Sequence, residues 1–133
     1  IVSCDKTNVP ICVLTDLNNS GFTFYLTGSH YFGNYHSGSD WDFFAQDTPE
    51  TGSFLVRLGF TEISSCYLDV MTTRVYRKES VDIQLVVCSK TKVQVQKLYY
   101  LLRGNTTLPI HTKQGQRSLW DFCYKIYQTG LAN

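Results

Sequence analysis

"TGSHYFGNYHSGSDWDFF", residues 27–44, decides how this chain is read. An apolar run stops at Gly28-Ser29, a polar loop follows, and Asp40 and Asp42 stand two apart where a second apolar run begins. Side chains alternate along a strand, so residues i and i+2 share a face. Asp40, Asp42 and Phe44 are therefore expected on one side of a strand, with Trp41 and Phe43 on the other. Two carboxylates on one face repel each other, and a cation is required nearby.

Outward from this stretch, the pattern resolves into alternating elements. "FTFYLT" (22–27) is aromatic and β-branched and reads as a strand ended by Gly28, and "SDWDFFA" (39–45) reads as the next. Upstream, residues 9–19 place Val9, Val13 and Leu17 four apart, with Pro10 early and Gly21 just beyond, which predicts a helix. Downstream, Thr48-Pro49-Glu50 is a helix start: a hydroxyl cap, Pro at the first position and an acid in the first turn. Phe54, Leu55 and Leu58 give its buried face and Gly59 its stop. Residues 60–71 carry no decisive pattern.

Residues 72–78 and 81–88 read as a hairpin around Glu79-Ser80. Val81, Ile83, Leu85 and Val87 are expected on one face, Asp82, Gln84, Val86 and Cys88 on the other. Residues 91–102 fit a helix with Leu98, Leu101 and Leu102 as its seam. A last helix is marked by Leu119, Phe122, Cys123, Ile126 and Tyr127 at i, i+3, i+4, i+7 and i+8, with Gly130 as its close. The expected fold class is α+β: one domain, residues 1–133, with a mixed, mostly antiparallel sheet of about four or five strands and helices packed against it.

Composition narrows the function. The chain has 133 residues, 43% hydrophobic and 17% charged, which suits one globular domain with a real core. A net charge of +1 supplies no bulk attraction to nucleic acid or acidic membranes. No run reaches the ~18 apolar residues of a membrane span, and residues 1–10 lack a signal-peptide layout. The five cysteines, Cys4, Cys12, Cys66, Cys88 and Cys123, include no Cys-x-x-Cys pair, which argues against a disulfide framework or a zinc site. A cytoplasmic location is the expectation.

Asp82 stands alone among apolar residues, where an unpaired buried carboxylate is costly. Each feature has a plain reading: a strand ending in Gly-Ser is common, and Asp-x-Asp is usually a solvated face. Together, Asp40, Asp42 and Asp82 make an oxygen-only negative pocket of the kind Mg²⁺ prefers. Gly28 lets backbone approach a phosphate closely, and amides near Ser29 at a helix start favour anions. The hydroxyls of Ser29 and Ser39 add hydrogen-bonding capacity.

The set "GSHYFG", "SDWDFF", "VDIQLV" resembles the DNA polymerase beta-type nucleotidyltransferase superfamily, over residues 22–88. Its short stand-alone members, of the kind bacteriophages carry, are the nearest in style; for such a protein the compartment would be the host cytoplasm. The resemblance implies that Gly28 and Ser29, with Ser39, bind a nucleoside triphosphate. It implies that Asp40 and Asp42 hold Mg²⁺ or Mn²⁺, and that Asp82 completes the metal site and helps deprotonate an acceptor hydroxyl. The reaction implied is transfer of a nucleoside monophosphate to a hydroxyl on a protein, an RNA or a small molecule, with release of pyrophosphate. His30 departs from the pattern, standing where many members carry Arg; Gly33 is kept. The alternative expectation is an inactive domain of the same fold that binds a host or partner protein.

Several residues have weaker claims. His36 lies near the pocket in sequence, with an exposed loop histidine as the competing reading. Lys90, Lys92 and Lys97 read first as solvated lysines of a helix face. Arg74 and Arg77, three apart on one strand, point opposite ways, so at most one faces the acids. Tyr99, Tyr100, Trp120, Tyr124 and Tyr127 could stack on a base but read first as core.

Overall fold

Two strands at the centre of the sheet run parallel, and the rest of the molecule is arranged around that pair. The computed structural model describes residues 10–33, 35–64, 70–103 and 113–132. Val9, Cys4, Cys66 and His111 lie outside the described residues. The strands are β1 (Tyr25–Thr27), β2 (Trp41–Gln46), β3 (Thr61–Ile63), β4 (Thr72–Lys78) and β5 (Val81–Val86). They form a five-stranded mixed sheet in the order β1-β2-β5-β4-β3. β2 and β5 are parallel, and every other neighbouring pair is antiparallel. The fold class is α+β, as expected, with β3 supplied by the stretch that carries no sequence signal.

Parallel neighbours need a long crossover. Here it contains α3 (Pro49–Arg57), β3 and β4. α1 (Ile11–Asn18) and α3 cover one face of the sheet: Val13, Leu17 and Leu55 pack with Ala45, Tyr76, Val81, Ile83 and Leu85. α4 (Ser89–Arg103) and α5 (Lys113–Ala132) cover the other, where Phe44 and Val86 meet Met71, Val93 and Tyr124. The alternation read from sequence holds: Trp41 and Phe43 lie with the first cluster, Phe44 with the second. α4 and α5 share a further cluster of Val95, Tyr99, Leu119, Trp120 and Cys123. Burial pushes the Cys123 thiol up to about 11, as fits a small core residue. Cys12, Cys88 and Cys123 are free thiols.

The helix starting at Thr48 is built as predicted. The Thr48 side chain accepts from the Thr51 amide at 3.1 Å, Pro49 opens α3, and Gly59 follows it at φ 97°. Elsewhere the structure corrects the sequence reading. β1 is only three residues long, and β5 ends at Val86, so Val87 is exposed. α4 begins at Ser89, whose amide donates to Gln46 Oε1 at 2.9 Å, and Leu101 is 64% exposed. The buried face of α4 is Ser89, Lys92, Val95, Gln96 and Tyr99, because both long polar side chains find partners inside. In α5, Phe122 and Ile126 are exposed and Trp120 is buried beside Leu119 and Cys123. The backbone stays helical through Gly130 to Ala132; a single glycine weakens a helix by about 1 kcal/mol without breaking it.

Thr48→Ala removes the cap of α3 and is expected to lower stability by about 1 kcal/mol. Thermal melting should fall by a few degrees, and Thr48→Ser should restore most of the loss.

Candidate functional site

The strand register assembles the acids. Asp42 on β2 pairs with Asp82 on β5, Asp82 pairs with Arg77 on β4, and Thr27 on β1 pairs with Asp42. Thr27, Asp42, Asp82 and Arg77 thus form one row across four strands. Neighbouring strands lie ~4.8 Å apart, so Asp42 and Asp82 are close enough to repel.

Arg77 is the cation that the acidic strand start requires. Its Nε donates to Asp82 Oδ1 at 2.6 Å and its Nη2 to Asp82 Oδ2 at 2.8 Å. The same Nη2 donates to Asp40 Oδ2 at 2.7 Å. Asp40 lies just before β2, and one guanidinium therefore holds acids from two chain segments. The two-point bond to Asp82, with Asp40 behind it, raises the Arg77 pKa above its already high value. Arg77 is a permanent counter-charge. Arg77 and Asp40 are 43% and 45% exposed, against 15% for Asp82, so the cluster meets solvent through both of them.

Arg74 points the other way, as the spacing predicts. Its Nη2 pairs with Asp47 Oδ1 at 2.7 Å, and its Nη1 donates to the Tyr76 hydroxyl at 2.9 Å. The ladder between β4 and β5 is irregular between Thr72 and Arg74. The Arg74 hydrogen bond, helped by Thr73, holds the Asp47 carboxyl below the ordinary value of 3.8.

Gly28 sits against Asp42. Its φ is 70°, and a Cβ built there would lie 2.3 Å from Asp42 Oδ2. Only glycine allows this backbone to rest on that carboxylate. α2 (Gly28–Phe32) follows at once, with Ser29 partly buried in its first turn and Gly33 at φ 86° closing it. α4 braces both ends of this bend. Gln96 Nε2 donates to the Leu26 carbonyl at 3.0 Å, and the buried Thr27 hydroxyl donates to Gln96 Oε1. Arg103 donates to the Phe32 carbonyl and stacks over the Phe32 and Tyr100 rings.

The remaining sequence candidates separate. Ser39 Oγ accepts from the His36 amide at 2.9 Å and so closes the loop, while keeping its own proton to donate. His36 is exposed, and its Nδ1 accepts from the Gly38 amide at 3.1 Å. His30 is clamped between rings: Trp41 at 3.7 Å and 9° on one side, Tyr35 at 4.7 Å and 19° on the other. Its Nε2 is buried without a hydrogen-bond partner. Lys92 is not a solvated lysine. It is 2% exposed, donates to Gln84 Oε1 at 2.7 Å and lies over the Phe44 and Trp120 rings. Gln84 and Phe44 are each one strand repeat beyond Asp82 and Asp42, so a buried ammonium stands one layer behind the acids. Tyr99 and Trp120 are core.

Among the described residues, no three His, Cys, Asp or Glu side chains stand as a ready-made cation cage. The carboxylates of Asp40 and Asp82 instead meet on the Arg77 guanidinium, which is bound between them. No protein family, curated protein or solved structure matches the chain.

Gly28→Ala is expected to destabilise the fold by about 1–3 kcal/mol, through its left-handed backbone and the clash with Asp42, read by denaturant titration. Asp47 makes a separate, pH-dependent contribution. Its folded pKa is depressed, so the stabilisation is full above the ordinary carboxylate value and is lost as pH falls through the folded value. Asp47→Asn should melt below wild type near neutral pH, with the gap closing once pH drops past about 3.8.

Proposed function

We propose that this protein is a metal-dependent nucleotidyltransferase that moves a nucleoside monophosphate from an NTP to a hydroxyl. One observation carries the reading. Asp42 and Asp82 lie in register on adjacent parallel strands, Asp40 shares Arg77 with Asp82, and the Gly28 backbone rests on Asp42. Three acids and a close-approach bend thus occupy one end of one sheet face.

In this reading Asp40 and Asp42 hold Mg²⁺ or Mn²⁺, with Asp82 completing the set. The bound metal supplies charge neutralisation for the phosphoryl group in transfer. The backbone at Gly28 and Ser29 orients the triphosphate, with the Ser29 and Ser39 hydroxyls as further donors. Asp82 takes the proton of the acceptor hydroxyl as its oxygen bonds to the α-phosphorus. The bond from that phosphorus to the pyrophosphate oxygen breaks, and pyrophosphate leaves. Holding the reactants in line accounts for most of the rate gain. The acceptor class is a hydroxyl of a protein, an RNA or a small molecule, and the compartment is the cytoplasm.

A second reading has its own support. The ion-pair network of Arg77 is complete without a metal, and His30 is sequestered between rings. In that reading the fold is an inactive binding module in which the guanidinium permanently takes the place of the metal.

Thermal shift with each of the four NTPs and Mg²⁺ separates the two. The enzyme reading predicts that one or more NTPs raise the melting temperature only with the metal present; saturation at 100 times Kd corresponds to about 2.7 kcal/mol. Labelled NTP incubated with a cell lysate should then give metal-dependent transfer that Asp42→Asn abolishes. No nucleotide effect and no transfer contradict the enzyme reading and favour the binding module.

A further inference from the structure

We infer that the outer face of the α4–α5 pair docks an amphipathic helix of a partner protein, one with apolar side chains along one face and acidic side chains beside them. The inference is independent of the nucleotidyl-transfer reading.

Charge is divided unevenly along this chain. α4 and α5 carry seven lysines and arginines and a single acid, Asp121, while the rest of the sequence carries five and ten. The net charge of +1 conceals that division. Lys92 is spent inside, on Gln84 and two aromatic rings. Lys90, Lys97 and Lys125 are exposed, and none of them is in an ion pair among the described residues.

Large apolar side chains stand on the same face. An α-helix turns ~100° per residue. Lys92 and Gln96 point from α4 toward the sheet, so Leu101, half a turn round from Lys92, points away from it. Tyr124 packs with Phe44 and Val86, and the Trp120 ring lies beside Lys92, so both turn from α5 toward the sheet. Phe122 stands between them in sequence and points away, with Ile126 one turn beyond it. Leu101, Phe122 and Ile126 are 64%, 53% and 41% exposed. Leu119 and Cys123 pack with Val95 of α4, so Phe122 and Ile126 flank the seam between the two helices.

The occupant follows from both properties together. An apolar stripe with lysines at its margins has the apolar centre and charged rim of a protein interface. A helix laid along a two-helix seam offers apolar anchors at i, i+3 or i+4, and i+7. Acids beside those anchors meet Lys97 on α4 and Lys125 on α5, whereas a basic helix is repelled. Leu101 and Ile126 are aliphatic and give a nucleobase no ring to stack on. A bilayer is flat, whereas Phe122 and Ile126 line a seam.

Selection of a displayed library of random helical peptides against the intact protein tests this without a known partner. The selected sequences should share apolar residues at i, i+3 or i+4, and i+7, and be enriched in Asp and Glu beside them. By fluorescence anisotropy, these peptides should bind the Phe122→Ser, Ile126→Ser double variant roughly tenfold or more weakly than wild type. Lys97→Glu with Lys125→Glu, which leaves the apolar stripe in place, should weaken the same peptides and select basic ones instead. Added salt should weaken the wild-type complexes. Peptides without acidic enrichment, or whose binding neither double variant changes, overturn the inference. So does a wild type that selects no helical peptide, whether this face instead binds phosphatidylserine vesicles, single-stranded RNA or a second copy of the chain.

Discussion

The ion pairs of Arg77 with Asp40 and Asp82 are the interaction on which the acidic end of the sheet depends. Register sets Asp42 beside Asp82 one strand spacing apart, and chain order sets Asp40 two residues before Asp42. That accumulation of negative charge is unfavourable unless a cation is built in, and β4 delivers one from the opposite side of β5. The pairs are partly exposed, so their worth in folding is modest and salt-dependent. Their importance lies in what they hold together: Asp40 and Asp82, from two chain segments, on one guanidinium.

Around that row, rigidity comes from polar side chains that reach inward. Gln96 grips the strand end before Gly28, Arg103 grips the end of α2, and Lys92 packs between aromatic rings one layer behind the acids. A buried lysine is unfavourable unless its ammonium is partnered, and Gln84 with the ring faces supplies part of that partnering. α4 thus holds the glycine bend in place against β2.

Much of this was legible in the sequence. The alternation through Trp41–Phe44 put Trp41 and Phe43 on one side and Phe44 on the other, and Thr48-Pro49-Glu50 marked α3. The three-residue spacing of Arg74 and Arg77 showed that only one could face the acids. What alternation cannot convey is which strand lies next to which. The parallel pairing of β2 with β5, and hence Asp42 beside Asp82, depends on how the crossover through α3, β3 and β4 folds back, and its β3 stretch carries no periodic signal. The helical seams misled for a different reason. Hydrophobic periodicity assumes that polar residues face water, yet α4 turns Lys92 and Gln96 inward and leaves Leu101 outside. In α5 it is Trp120 that is buried, while Phe122 and Ile126 remain exposed. His30 was legible as a departure from the arginine pattern, but not as the filling of a sandwich between Trp41 and Tyr35.

The central claim, that these acids form one cation pocket against the glycine bend, is open to direct mapping. Paramagnetic Mn²⁺ titrated in substoichiometric amounts into uniformly ¹⁵N-labelled protein broadens only amides near the bound ion. The account predicts early, selective loss of the signals of Gly28, Ser29, Trp41, Asp42, Asp82 and Arg77, reversed by excess Mg²⁺. Broadening centred elsewhere on the surface, or spread evenly over all exposed acids, would contradict it.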